Sequence, residues 1–282
     1  MKTTRIIARL DIKGPNLVKG IHLEGLRVLG KPEDFARYYY ENGADELFYQ
    51  DVVASLYERN SLNDLISRTA KEIFIPLTVG GGIRTVEDIR SILRAGAYKV
   101  CINTAAIKDP QLISEASRVF GSSTIVVAIE AIKQLDGTYL AYTDNGREHS
   151  GHEVVEWAKK VEELGAGEIV ITSVDQEGTG LGYDIELTKK VANAVSIPVI
   201  AHGGAGSEED VRKVIQEGNA DAVALASVIH YDYIENNVLS VIGKEEGNTE
   251  FLKSGKSFSK IKPNTIKKIK NYLSDKSISI RS

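Results

Sequence analysis

The 282-residue chain is 42% apolar and 26% charged, a composition that supplies a folded core in a water-soluble globular protein. Its net charge of −4 argues against a sequence-wide nucleic-acid or anionic-membrane footprint. Its one cysteine, Cys101, excludes an internal disulfide framework or a Cys-cluster metal site and fits a reducing cytoplasm.

No apolar run approaches the roughly 20 residues of a spanning helix. Residues 1–9 carry charge but no long apolar stretch or cleavage site, so no signal peptide is expected. Strand-like runs fall at 5–10, 46–50, 75–79, 99–102, 124–129, 168–172, 198–201 and 222–224. Amphipathic helical patterns lie between them, as at 31–42, 86–95, 151–164, 184–195 and 207–217. Eight strands, each followed by a helix, predict a closed (β/α)8 TIM barrel, although an open doubly wound sheet uses the same alternation. Thr85 with Asp88 and Ser207 with Asp210 read as helix N-caps, and Gly43 and Gly165 as C-terminal glycines.

The chain repeats itself. Ile75-Pro76, Gly80-Gly81-Gly82, Thr85, Glu87 and Asp88 return as Ile197-Pro198, Gly203-Gly204, Ser207, Glu209 and Asp210. Asn42 to Leu47 returns as Leu164 to Ile169, at the same spacing of 122 residues that separates Ile75 from Ile197. Two matches in one register predict a barrel of two four-strand halves. The whole chain, 1–282, reads as one barrel with a polar insertion at about 235–263, followed by a basic amphipathic helix over 265–273. Seven lysines and no acid occupy 253–270, a solvated stretch or a site for an anionic partner.

Chemistry gathers at strand ends. Gly80-Gly81-Gly82 and His202-Gly203-Gly204 each follow a strand and precede a helix, where bare backbone N–H groups and the helix dipole suit a phosphate. Asn103-Thr104 and Ala226-Ser227 are polar strand ends on the same face. Two symmetry-related sets imply an elongated substrate with a phosphate at each end. Asp11 and Glu130 end strands 1 and 5 and face each other across the mouth, as a general acid and base would; either can instead pair with Lys13 or Lys19. Asp51, Asp175 and Glu177, also at strand ends, are candidates for binding hydroxyls or orienting the base. At the opposite ends, Arg5, Glu46, Lys99 and Glu168 predict an alternating salt-bridge ring on the barrel floor, structural or a gate. The scattered histidines lack ligand spacing, so no metal site is expected. No P-loop or GxGxxG signals a cofactor, and Cys101 reads as core.

These residues resemble the cyclase subunit of imidazole glycerol phosphate synthase, the HisF family, over nearly the whole chain. The likeness rests on Arg5-Ile6-Ile7, Leu10-Asp11-Ile12-Lys13, Leu17-Val18-Lys19-Gly20, Gly43 to Leu47, residues 74–88, Ile102 to Ala106, Ile125 to Ile129, 165–172, and Ser196 to Ala201 with Gly203 to Ser207. The resemblance implies a (β/α)8 lyase of histidine biosynthesis that takes ammonia from a glutaminase docked on its N-terminal face. Ammonia would pass Arg5, Glu46, Lys99 and Glu168 and meet a ribulosyl aminoimidazole carboxamide bisphosphate ribotide. The products would be imidazole glycerol phosphate and an aminoimidazole carboxamide ribotide. By the same resemblance Asp11 and the acid at 130 exchange protons and Lys19 sits on a loop closing over substrate. Gly82, Asn103, Thr104, Gly203, Ala226 and Ser227 cradle the phosphates, with Asp51, Glu177, Gly178 and Gly204 beside them.

Four features depart from the family pattern: Glu130 and Glu177 stand for aspartates, Arg9 for a small residue or cysteine, and the insertion is extra. They keep two alternatives open: a subunit supplying ammonia to amidinate a surface-polysaccharide sugar, and a silent subunit that only activates a glutaminase.

Overall fold

The computed structural model describes residues 3–54, 62–237 and 260–281. Eight parallel strands close into a barrel: β1 (Arg5–Lys13), β4 (Glu46–Asp51), β5 (Leu77–Gly80), β6 (Lys99–Ile102), β7 (Ile125–Lys133), β10 (Glu168–Ser173), β11 (Val199–His202) and β12 (Ala222–Leu225). Closure is made where β12 pairs β1 in register, Arg5 against Ala222 and Ala8 against Leu225. The helices are α1 (Pro32–Glu41), α2 (Asn63–Ala70), α3 (Val86–Ala95), α4 (Thr104–Lys108), α5 (Gln111–Phe120), α6 (Val154–Glu163), α7 (Ile185–Ala194), α8 (Glu208–Gln216), α9 (Ser227–Asn236) and α10 (Ile266–Asp275).

Local chemistry starts and stops these helices where the sequence says. Thr85 Oγ1 accepts from Asp88 N while the Asp88 carboxylate accepts from Thr85 N, a complete capping box for α3. Ser207 caps α8, and Gly43 and Gly165 take φ of 84° and 100° after α1 and α6. The basic closing helix α10 buries Ile266, Ile269 and Leu273 and ties Lys270 to Asp45 at 2.6 Å. Most of the insertion at 235–263, and the first seven residues of the lysine-rich stretch, lie outside the described residues.

Two elements differ from the alternation expected. Strand β1 runs on into an antiparallel hairpin, β2 (Asn16–Ile21) with β3 (Glu24–Gly30), before α1 begins. Strand β7 does the same with β8 (Tyr139–Thr143) and β9 (Glu148–Glu153). The helix expected from 151 therefore starts at Val154, capped by Glu153, because 148–153 is drawn into the hairpin. The two hairpins sit at equivalent places in the two halves: Asp11 pairs Val18 as one turns back, and Glu130 pairs Tyr142 as the other does.

Period-2 alternation decides which chemistry reaches the barrel axis. On β1, Ile6, Ala8, Leu10 and Ile12 pack outward under the helices, leaving Arg5, Ile7, Arg9 and Asp11 inward. On β7, Ile125, Val127, Ile129 and Ala131 face out, and Val126, Ala128 and Glu130 face in. Repeated round the barrel, this stacks three levels. Ions lie at the floor. An apolar tier of Ile7, Phe48, Cys101, Val126, Ala128, Val170, Ile200, Ala222 and Ala224 lies above them. Polar side chains form the mouth.

Candidate active site

At the floor, Arg5 Nη1 bonds Glu46 at 2.6 Å and Glu168 at 3.0 Å, and Lys99 Nζ bonds the same two at 3.2 and 3.1 Å. The alternating ring expected from the sequence is thus complete. Each charge touches two of opposite sign, which is what allows such groups to sit largely out of water. Burial lowers and the two glutamates raise the Arg5 value, which ends above its ordinary one.

At the mouth a cavity of about 390 Å³ opens, lined in part by Arg9, Asp51, Gly82, Asn103, Thr104 and Glu130. Gly81 must be glycine: its φ is 102°, and a Cβ would stand 2.3 Å from the Asp51 carbonyl oxygen. Asp51 accepts from Val53 N and Ala54 N through Oδ1, shaping the rim. Asn103 donates to the Tyr142 carbonyl at 3.3 Å, and its buried Oδ1 has no hydrogen-bond partner among the described residues. The tip of the β8–β9 hairpin arches over this side, with Asp144 N donating to Thr104 Oγ1 and Gly146 N donating to Glu130 Oε2 at 2.9 Å.

The two acids have different surroundings. Glu130 lines the cavity; burial pushes its carboxyl up to about 7, with the Gly146 amide and Arg9 opposing. Asp11 does not line it. Arg9 does, donating from Nε to Asp11 Oδ1 at 3.0 Å, while Lys19 Nζ stands 3.6 Å from Oδ2. Burial alone would raise Asp11, but Arg9 and then Lys19 hold it well below the usual carboxylate range. The shared cavity expected for the pair is therefore met by Glu130 and not by Asp11, because a guanidinium fills the space beside it.

The second glycine set differs more. Glu177, Gly178, Gly203, Gly204, Ala226, Ser227 and Lys19 are not part of this cavity's lining. Glu177 is buried against Lys19 and accepts from Leu23 N, and its carbonyl accepts from His22 N. The β2–β3 hairpin is thereby pinned over this half of the mouth. Gly204 O accepts from Gly182 N beneath the loop that follows β10. Asp175 is exposed and accepts from Lys133 N, away from the site. Burial raises the Cys101 thiol to about 12, so it stays protonated. Among the described residues no cluster of His, Cys, Asp and Glu has metal-binding geometry, and no helix is long and apolar enough to cross a membrane.

Sequence reasoning missed Gln50, Arg84, Lys108, Asn145 and Thr172 as lining residues, and His202 as a partner of Arg9. For Gln50, Thr172 and His202 a signal existed: each is the next inward position after Phe48, Val170 and Ile200. The Arg9 guanidinium only donates, so His202 Nδ1, 3.2 Å away, accepts, and the ring proton sits on Nε2. Burial, then Arg9 and Lys19, hold His202 well below its ordinary value and therefore neutral.

A test of Glu130 arises here. In the window between its ordinary value near 4.5 and about 7, the folded chain holds a proton that the unfolded chain releases. Stability therefore falls as pH rises through that window and stays lowered above it. Glu130→Gln removes the buried charge and is expected to raise stability at pH 8, by at most on the order of 3 kcal/mol. The gain should vanish near pH 4. Denaturant midpoints of variant and parent at both values check this; an equal difference at both would refute it.

Fold and mouth together define a (β/α)8 barrel with a ligand cavity at the C-terminal ends of its strands and a charged ring at the other end. Residues 5–235 match the family described as histidine biosynthesis protein, and the chain belongs to that family. It is 59% identical over 210 residues to the imidazole glycerol phosphate synthase subunit HisF of Legionella pneumophila, covering 74% of this chain and 99% of that one. Proteins of the same name from Alkaliphilus metalliredigens and Methanococcus vannielii are each 49% identical, over 83% and 82% of this chain and 93% and 92% of theirs.

Proposed function

We propose that this chain is the cyclase of an imidazole glycerol phosphate synthase in histidine biosynthesis. Ammonia from a glutaminase would convert a ribulosyl aminoimidazole carboxamide bisphosphate ribotide to imidazole glycerol phosphate and an aminoimidazole carboxamide ribotide. The observation that carries this reading is the placing of the ion-pair ring and the cavity at opposite ends of one lumen. The tier between them is apolar, with small side chains at Cys101, Ala128, Ala222 and Ala224. Such a route favours neutral ammonia over ammonium and keeps it from bulk protons. Glutaminase docking on the ring face is supported by Phe74 and Tyr98, 82% and 63% exposed just before β5 and β6.

In this assignment Gly82, Asn103 and Thr104 hold one phosphate, with Asp51 shaping the rim. Gly203, Gly204, Ala226 and Ser227 receive the other once Lys19, Glu177 and Gly178 release the hairpin. Glu130, poised near neutrality and open to the cavity, exchanges the proton. Asp11 remains a carboxylate between two cations.

A second reading is favoured by Arg9 at the cavity floor, where the family pattern has a small residue: a subunit delivering ammonia to amidinate a surface-polysaccharide sugar. The experiment is conversion of the bisphosphate ribotide with ammonium salt by the purified chain. Turnover supports the cyclase. No turnover, with stimulation of a glutaminase retained, refutes it in favour of the sugar pathway or a silent activating subunit.

A further inference from the structure

Arg9 is 4% exposed and yet lines the cavity. Its guanidinium is held on three sides: Nε on Asp11 Oδ1 at 3.0 Å, Nη1 against His202 Nδ1 at 3.2 Å, and Cζ over the Phe48 ring at 5.3 Å. His202 is in turn 3.2 Å from Thr172 Oγ1, another cavity residue. Nη2 makes no hydrogen bond among the described residues. An arginine carries five donors in a fixed plane, so anchoring Nε and Nη1 aims the remaining group. Arg9 also stands on the barrel axis, one inward position above Ile7 of the apolar tier and two above Arg5 of the ring.

We propose that Arg9 is a catalytic residue, its Nη2 donating to the carbonyl oxygen of the substrate that ammonia attacks, with Asp11 and His202 as the residues that position it. The inference rests on the reading above that ammonia is the nucleophile. A molecule rising along the lumen meets first whatever this guanidinium holds. As the nitrogen lone pair forms the N–C bond, the carbonyl π pair moves onto oxygen, where the fixed cation meets the developing charge. The proton leaving nitrogen passes to the Glu130 carboxylate on the facing wall. Asp11 balances the buried charge of Arg9, so the cation needs no counter-ion from the substrate. A lysine at this position would keep the charge and lose the plane.

The test uses ammonium salt and the bisphosphate ribotide with the full chain. Arg9→Met and Arg9→Lys are each expected to lower kcat by about 10²- to 10³-fold, with KM changed far less. Methylguanidinium added to Arg9→Ala is expected to restore part of the lost rate. Variants within threefold of the parent overturn the proposal. If the variants do not fold, the unaltered chain decides: nitrogen-15 side-chain spectra should show the Arg9 Nη2 signal moving when the ribotide is added without ammonium. An unmoved signal, or no binding of the ribotide, overturns it. Parent turnover with an unmoved Arg9 signal sinks this inference and leaves the cyclase standing. A moved signal without turnover overturns both the cyclase reading and the catalytic role that rests on it.

Discussion

Asp11→Asn should reduce ammonium-dependent turnover by at least about 10³-fold while leaving docking of the glutaminase intact. The side chain keeps its shape and loses its charge. Among the described residues, Arg9 is then left without a counter-ion at Nε, and Lys19 retains only Glu177. Breaking a buried pair in this way costs about 3–5 kcal/mol, far more than the pair contributes when intact. Asp11 titrates below its ordinary range in the folded chain, so its stabilisation is present above that range and is lost as pH falls through the folded value. The gap in stability between parent and variant should accordingly narrow in acid. Kinetics then separate two roles. If Asp11 only positions Arg9, the residual activity of Asp11→Asn still rises through about pH 7, the limb set by Glu130. A variant that loses that limb places Asp11 in the proton transfer itself.

The second large effect is expected at the floor. Lys99→Met removes one cation from the ring and leaves Glu46 and Glu168 sharing Arg5. In complex with the glutaminase, glutamine-dependent turnover should fall at least tenfold more than ammonium-dependent turnover, since on the proposed route only the former sends ammonia past the ring. Both rates measured on one preparation check this, and equal losses would make the ring a structural brace. The apolar tier is consistent with the proposed gate: among the described residues the ring is the charged layer beneath it, and an apolar layer disfavours ions.

Much of this was legible in the chain itself. The eight strands, the capping box at Thr85, the glycines at 43 and 165 and the two-half repeat are local or periodic signals, and each reappears in the structure. The floor ring was legible for the same reason, since its members are first residues of strands and alternation points them all inward. The hairpins at 16–30 and 139–153 were not. They are short β segments beside strands already assigned, and their pairing partners lie in tertiary space. Arg9 could be read only as a departure, because its meaning depends on His202, 193 positions away, and Asp11, two positions along.

The sequence by itself determined the eightfold alternation of strand and helix, its doubled construction and the residue types at each level, because hydrophobic periodicity and helix punctuation act over a few neighbours; closure into a barrel is a matter of the β12–β1 pairing. Tertiary structure alone decided how two equivalent carboxylates came to differ. One is enclosed by cations from β1 and β2, and the other is left on an open wall under an amide from its own hairpin. Proton affinity follows from desolvation and from charges a few ångströms away, and those distances exist only once the chain has closed on itself.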